Sequence, residues 1–461
     1  MQLGISKSVS KKQKESALIM RKQTKIAAVV SAAALLALGA SMTSFAASKG
    51  TWMMVDGEWY CYDKNGDAYT NVFCSSNGKE YYVGEDGQLV RSSWVEYDSS
   101  YYFVNSNGAK ITNDWRLTTP YDDDSADEDE YWYYLKKTTG KPATGKQSNI
   151  NGQIYLFNNE GQMQHGWVAA TDTNGAKFVQ LDKEDDEKSM SAAGNAAVYY
   201  CGDEDDGHAK KNKWTKTWPP DNTSEEDDDK EWFWFDKDGV LFRSGENKGS
   251  ATASDAWKYK LDEGTLKKDT NESTGVISKK KVSSKDYWST KDGVMLSKFY
   301  LINDAMYYFG GSDDGSMKTG SQSIKDNTGD TYKFYFYTKD TYGYKKGAGV
   351  VGNQSNKLYY YGMLIQADDY KYQLATIAKD GVDYSFIVNS NGTIQHSANT
   401  EYKEDGEVLV KTGAYTQKDK DGKDVVIPTT FVKDGQAKYA IEDTKTIKKD
   451  VIDVNLGNFF Q

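Results

Sequence analysis

The chain is written in short runs where aromatic and polar residues alternate, each run closing on an Asp/Asn–Gly group. Trp59-Tyr60-Cys61-Tyr62 leads into Asp63-Lys64-Asn65-Gly66, Tyr81-Tyr82-Val83 into Gly84-Glu85-Asp86-Gly87, and Tyr101-Tyr102-Phe103-Val104 into Asn105-Ser106-Asn107-Gly108. Later copies begin at Tyr155, Trp232, Tyr307 and Tyr335. Period-two alternation rich in rings predicts half-buried strands. Asp or Asn, bonding its own backbone, and Gly at positive φ predict a bulged hairpin turn at each closing group. Gly66 to Gly87 spans 21 residues, and so does Gly87 to Gly108. A second mark keeps step: Phe73, Trp94 and Trp115 each lie seven residues after one of these glycines. Such a fixed period predicts one β-hairpin per repeat. A lone hairpin is marginal in water, so neighbours must stack to bury a shared core. The expected fold is all-β, a repeat array of stacked β-hairpins with acidic loop insertions.

Composition sharpens this. Of 461 residues about 80 are Leu, Ile, Val or Phe, while 34 are Tyr and 12 are Trp. An aliphatic content of roughly 17% with a high net charge would suggest disorder, but disordered chains are poor in aromatics. The core is therefore expected to be built from rings, each burying ~150–250 Å². A doubly wound α/β enzyme is excluded, since its central strands read as Val/Ile/Leu runs. The net charge of −11 argues against a nucleic-acid partner, which needs a basic surface for phosphates. Three cysteines, Cys61, Cys74 and Cys201, are too few for a disulfide framework. Cys61 and Cys74 could pair, or all three could pack as small hydrophobes.

Residues 1–46 read as a secretory signal peptide. Arg21, Lys22 and Lys25 precede the apolar run Ile26–Ala40, and Ser44-Phe45-Ala46 places small residues at a cleavage site. Translation would start at Met1 or at Met20. Without this segment the charge falls to about −17, and no transmembrane segment is expected in the mature chain. The protein is expected to be secreted and held at the cell wall or cell surface without a covalent link. Residues 47–365 form the aromatic/Gly repeats. Residues 366–461, where rings thin out, continue as degenerate β repeats or form a small C-terminal β module.

Four acidic runs interrupt the repeats: Asp122–Glu130, Lys183–Glu187, Asp203–Asp206 and Glu225–Asp229. Such blocks read as solvated loops. Calcium is the sharper alternative, although none of the runs has the spaced Asp-x-Asp-x-Asp-Gly pattern, and no cofactor is expected otherwise. His165, His208 and His396 are far apart in sequence, and neither a Gly-x-Ser-x-Gly elbow nor a Walker loop occurs. Gly347-Ala348-Gly349-Val350-Val351-Gly352 matches a dinucleotide fingerprint as a string, but Asn353–Lys357 and three tyrosines follow, so a turn is expected. No segment has the texture of a catalytic domain, and the chain is read as a non-enzyme.

The units Gly50-Thr51-Trp52…Trp59-Tyr60 and Trp94…Tyr101-Tyr102-Phe103…Asn107-Gly108 resemble the cell-wall-binding repeats of Gram-positive bacteria, the choline-binding and related glucan-binding repeats. The likeness is good over 50–167, where Gly166-Trp167 repeats the opening, patchy to 365 and faint beyond. It implies a β-solenoid of choline-binding type. It also implies aromatic cages made by an opening Trp and the Trp-Tyr pair of adjacent hairpins, suited to quaternary ammonium groups. Trp52, Trp59, Tyr60, Trp94 and Tyr102 match that pattern, with Trp115 and Trp167 as opening rings. Phe73 stands where an opening Trp is expected, and Tyr81-Tyr82 and Tyr101 stand in for the pair. The implied partner is a cell-wall polymer, either choline-decorated teichoic acid or glycan, held with avidity; self-association through the repeats is a further option. The alternatives are a structural or adhesive surface protein whose repeats are scaffold, and a divergent cell-wall glycan hydrolase.

Overall fold

The computed structural model describes residues 50–121, 129–171, 177–221, 226–243, 252–368, 371–404, 406–413, 415–427, 429–442, 447–448 and 453–455. The proposed signal peptide and most of the first acidic run lie outside them. The described residues form strands, turns and two short 3-10 turns, with no α-helix among them. None of their helices is long and apolar enough to cross a membrane. The chain divides into two compact units, one ending at Lys210 and the other beginning at Lys211.

The first unit is a series of antiparallel hairpins. They are β1 (Thr51–Val55) with β2 (Glu58–Tyr62), β3 (Val72–Ser76) with β4 (Lys79–Val83), and β5 (Ser93–Tyr97) with β6 (Ser100–Val104). Then come β7 (Asp114–Thr118) with β8 (Tyr131–Leu135) and β9 (Gly145–Ile150) with β10 (Gln153–Phe157). A three-stranded sheet closes the unit, with β11 (Trp167–Ala170) between β12 (Phe178–Gln180) and β13 (Val198–Tyr200).

The turns fall elsewhere than the sequence suggested. Hairpin tips are the two-residue loops Asp56-Gly57, Asn77-Gly78, Asp98-Ser99 and Asn151-Gly152, all at positive φ. That geometry matches the right-handed twist of paired strands. The Asp63…Gly66 group instead joins one hairpin to the next. Asp63 Oδ1 accepts the backbone N–H of Asn65 (2.8 Å) and of Asp67 (2.9 Å). Asn105 does the same for Asn107 and Ala109. The segment after each such turn pairs with the preceding hairpin: Leu89 N–H donates to Trp59 O, Lys110 N–H to Glu80 O and Met163 N–H to Trp132 O, at 2.7–2.9 Å. These bonds stack the repeats. Gly108 lies at a close approach between repeats; its φ is +79°, and a Cβ there would meet Leu89 Cδ1 at 2.6 Å.

Cys61 and Cys74 meet in the first core beside Trp52, Val83 and Leu89. All three cysteines are free and buried. The hydrogen bond with Cys61, and then burial, push the Cys74 thiol up, so these groups serve as small core hydrophobes.

In the second unit, β14 (Lys213–Thr217) pairs with β15 (Glu231–Phe235), and larger sheets follow. A four-stranded sheet holds Trp257–Asp262 and Phe299–Ile302 at its centre, and a five-stranded one is built around Met363–Leu364. One core joins Tyr259, Phe299, Phe334 and Phe336 to Ile377, Phe386 and Ala440. The aromatic-poor stretch after residue 366 therefore shares its core with the strands before it. The Gly347–Gly352 string is followed by a strand, Gly352–Gln354, and not a helix.

Candidate functional site

Strand alternation decides which rings meet. In the first three hairpins the opening aromatic lies opposite the residue nine positions on: Trp52 faces Cys61, Phe73 faces Tyr82 and Trp94 faces Phe103. In the fourth, whose connection is ten residues longer, Trp115 faces Tyr134. The neighbouring residue on the second strand points to the other face and reaches back to the previous hairpin. Each pair is thus completed by a ring from the next repeat. Tyr81 lies 5.8 Å from Trp52, Tyr102 5.3 Å from Phe73, Tyr133 5.0 Å from Trp94 and Tyr155 4.8 Å from Trp115, all edge-to-face. The result is a row of ring nests, one per hairpin junction.

The nests differ in access. Trp52, Tyr82, Tyr102 and Tyr133 are buried and form core. Burial pushes the Tyr81 and Tyr82 hydroxyls up, and Tyr82 Oη donates to Glu96 O. Phe73 is enclosed by Tyr82, Tyr97 and Tyr102. The Lys110 ammonium lies 5.1 Å from both the Phe73 and Tyr102 rings and pairs with Glu80, so this nest already contains a cation. Trp94 packs on Phe103 and Tyr121, and its indole N–H donates to Thr119 O.

Of these four nests the Trp115 nest is the most open. Trp115, Trp132, Tyr134 and Tyr155 are all half-buried. Trp132 lies 6.4 Å from Trp115, and its indole N–H points at Asp205 Oδ1, 3.4 Å away. Asp205 belongs to the loop Gly202–Lys210, where Asp206 receives Lys210 and His208. Burial works to raise the Asp206 carboxyl, but the Lys210 hydrogen bond and charge, with His208, outweigh it and hold the group below the usual carboxylate range. Among the described residues no three His, Cys, Asp or Glu side chains come together to hold a metal ion.

Of the candidates named from sequence, Trp52 and Tyr81 meet, and so do Phe73, Tyr82 and Tyr102. Trp94 and Trp115 each anchor a nest completed by residues the sequence reading missed: Phe103, Tyr121 and Tyr133 for one, Trp132, Tyr134 and Tyr155 for the other. Trp59 packs on the edge of the first core, Tyr60 lies against Tyr62, and Tyr101 stacks on Tyr121 at 4.1 Å. Trp167 is buried in the closing sheet against Tyr200. The nine-residue offset was the available signal for Phe103, and the inverted face of the next hairpin for Tyr133 and Tyr155.

No family model matches the chain. Over 112 residues it is 32% identical to glucosyltransferase-S of Streptococcus mutans, a stretch covering 24% of this chain and 7% of that protein. Over 111 residues it is 30% identical to glucosyltransferase-I of Streptococcus downei, covering 24% and 6%. The chain thus spans less than a tenth of the length of these curated relatives. Among solved structures it is similar to three proteins of Streptococcus pneumoniae. The modular autolysin LytC has a TM-score of 0.34 at 16% identity, covering 75% of this chain and 52% of that one. The choline-binding domain of CbpL has 0.31 at 22%, covering 58% and 96%, and choline binding protein F has 0.25 at 16%, covering 76% and 100%. The choline-binding proteins among them carry the name of the family that the repeat pattern resembles.

Proposed function

We propose that the chain is a secreted, surface-retained binding protein that holds a cell-wall polymer without a covalent link. The observation that carries this reading is the Trp115–Trp132–Tyr155 nest, where half-buried rings stand at a hairpin junction beside a carboxylate. Half-exposed rings of this kind offer flat apolar faces to sugars and electron-rich faces to cations. A row of such junctions suits a repetitive polymer, since linked weak sites multiply in effect. The names of the solved choline-binding proteins support the same reading.

The scaffold reading has one specific observation in its favour. The Phe73 nest is closed by the chain's own Lys110, so some junctions serve packing alone. Pull-down of the chain on purified cell walls, with and without excess choline, separates the two. Retention that choline reverses supports cation-binding nests, and retention that only soluble glycan reverses supports sugar stacking. A chain that does not bind walls is a scaffold. Clearing of wall material in a zymogram would move the reading to a hydrolase.

A further inference from the structure

The Trp132–Asp205 arrangement is built twice, once in each unit. In the second unit Trp214 faces Trp234 across the β14–β15 hairpin, and Tyr287 of the following hairpin lies 4.8 Å from Trp214, the distance that separates Tyr155 from Trp115. The loop Gly310–Lys318 aligns without a gap on Gly202–Lys210 and carries the same residue at five of the nine positions, Asp313, Asp314 and Gly315 among them. Asp314 receives Lys318 as Asp206 receives Lys210. Met295 lies against Gly315 as Met163 lies against Gly207. The Trp232 indole N–H donates to Asp313 Oδ1 at 2.9 Å, the counterpart of Trp132 and Asp205.

The residue opposite the tryptophan differs. Opposite Trp232 in the strand register stands Lys216; opposite Trp132 stands Leu117. The Lys216 ammonium pairs with Asp313 Oδ1 at 2.9 Å and lies 6.0 Å from the Trp232 ring. The indole hydrogen bond, and then that of Lys216, hold Asp313 below the usual carboxylate range. In the first unit Leu117 is 38% exposed, and among the described residues no lysine or arginine pairs with Asp205. The Phe73 nest repeats the theme, with Lys110 against two rings and paired with Glu80. Of these three ring nests with a carboxylate beside them, those at Phe73 and Trp232 receive an ammonium group from the chain's own lysines, and among the described residues the one at Trp132 does not.

We propose that the Trp132–Asp205 site binds a protonated primary amine of a ligand, in the place that the Lys216 ammonium fills in the duplicate. This rests on the reading that the junction nests are ligand sites, and it names the chemistry of one of them. An –NH3+ group can donate to Asp205 while facing the indole, combining a charge-assisted hydrogen bond with cation–π attraction. A trimethylammonium group has no N–H to donate and keeps only the second term. The site therefore prefers a primary amine to choline.

The test follows the indole N–H resonances of the full chain during titration with n-butylammonium and with choline. The expected result is a shift of the Trp132 resonance that choline matches only at about tenfold higher concentration. Asp205→Asn and Leu117→Lys should each weaken the butylammonium response by about tenfold. Lys216→Ala should make Trp232 responsive where the unaltered chain is not. Choline binding at Trp132 as tightly as butylammonium, or a response unchanged by Asp205→Asn, overturns the proposal. If neither probe moves Trp132 while the chain is retained on cell walls, the amine site is lost and the wall-binding reading stands. If the amine binds and walls do not retain the chain, the site stands and the wall-binding reading is lost.

Discussion

At the scale of single residues, the same ring type does two jobs, and burial separates them. Trp52 is 6% exposed and packed among Cys61, Cys74 and Val83. Trp52→Ala is expected to cost about 3–5 kcal/mol of stability, read by urea titration of the chain. Trp115 is half-buried at an open junction, so Trp115→Ala should reduce wall retention with a smaller loss of stability. Phe73, Trp94 and Trp115 were legible because each falls seven residues after a turn glycine. Their partners from the next repeat were not, because Tyr133 and Tyr155 are chosen by which face of the next strand turns back. That choice depends on register. The lysines over the rings were not legible either: Lys110 reaches Phe73 only once two hairpins are stacked.

At the scale of elements, the repeat is a five-residue strand, a two-residue tip, a second five-residue strand and an Asx-stapled turn that returns the chain to its predecessor. The hairpins could be read from alternation and turn chemistry, which are local. The Asp63…Gly66 group could be read as a turn but not as the junction between hairpins, since Asp56-Gly57 offers equally good turn chemistry nearby. Gly108→Ala places a side chain at φ +79° against Leu89. It is expected to destabilise by about 1–3 kcal/mol, measured by thermal or denaturant unfolding. The Gly202–Lys210 loop should be acid-sensitive. Its Asp206 carboxyl is held below the ordinary aspartate value of 3.8 in the folded chain, so its contribution is complete above that value and is lost as pH falls through the lower folded value. Hydrogen exchange of the loop amides should rise, relative to the adjacent strands, in that acid range, and Asp206→Asn should remove the pH dependence.

At the scale of the whole molecule, a chain poor in Leu and Ile folds because rings in phase with turns give successive hairpins of the first unit shared cores. The described residues of the four acidic runs sit in loops and short turns outside the strands, so the charge is carried beside the ring core. The second unit departs further from the repeat, with sheets of three to five strands, and its texture was correspondingly harder to read in advance. The central claim is that open junction nests hold a wall polymer, and co-sedimentation with purified cell walls addresses it most directly. The unaltered chain should sediment with the walls. A Trp115→Ala/Tyr155→Ala double variant with an unchanged far-ultraviolet spectrum should sediment several-fold less. Equal sedimentation of the two, or an unaltered chain left in the supernatant, would contradict the account.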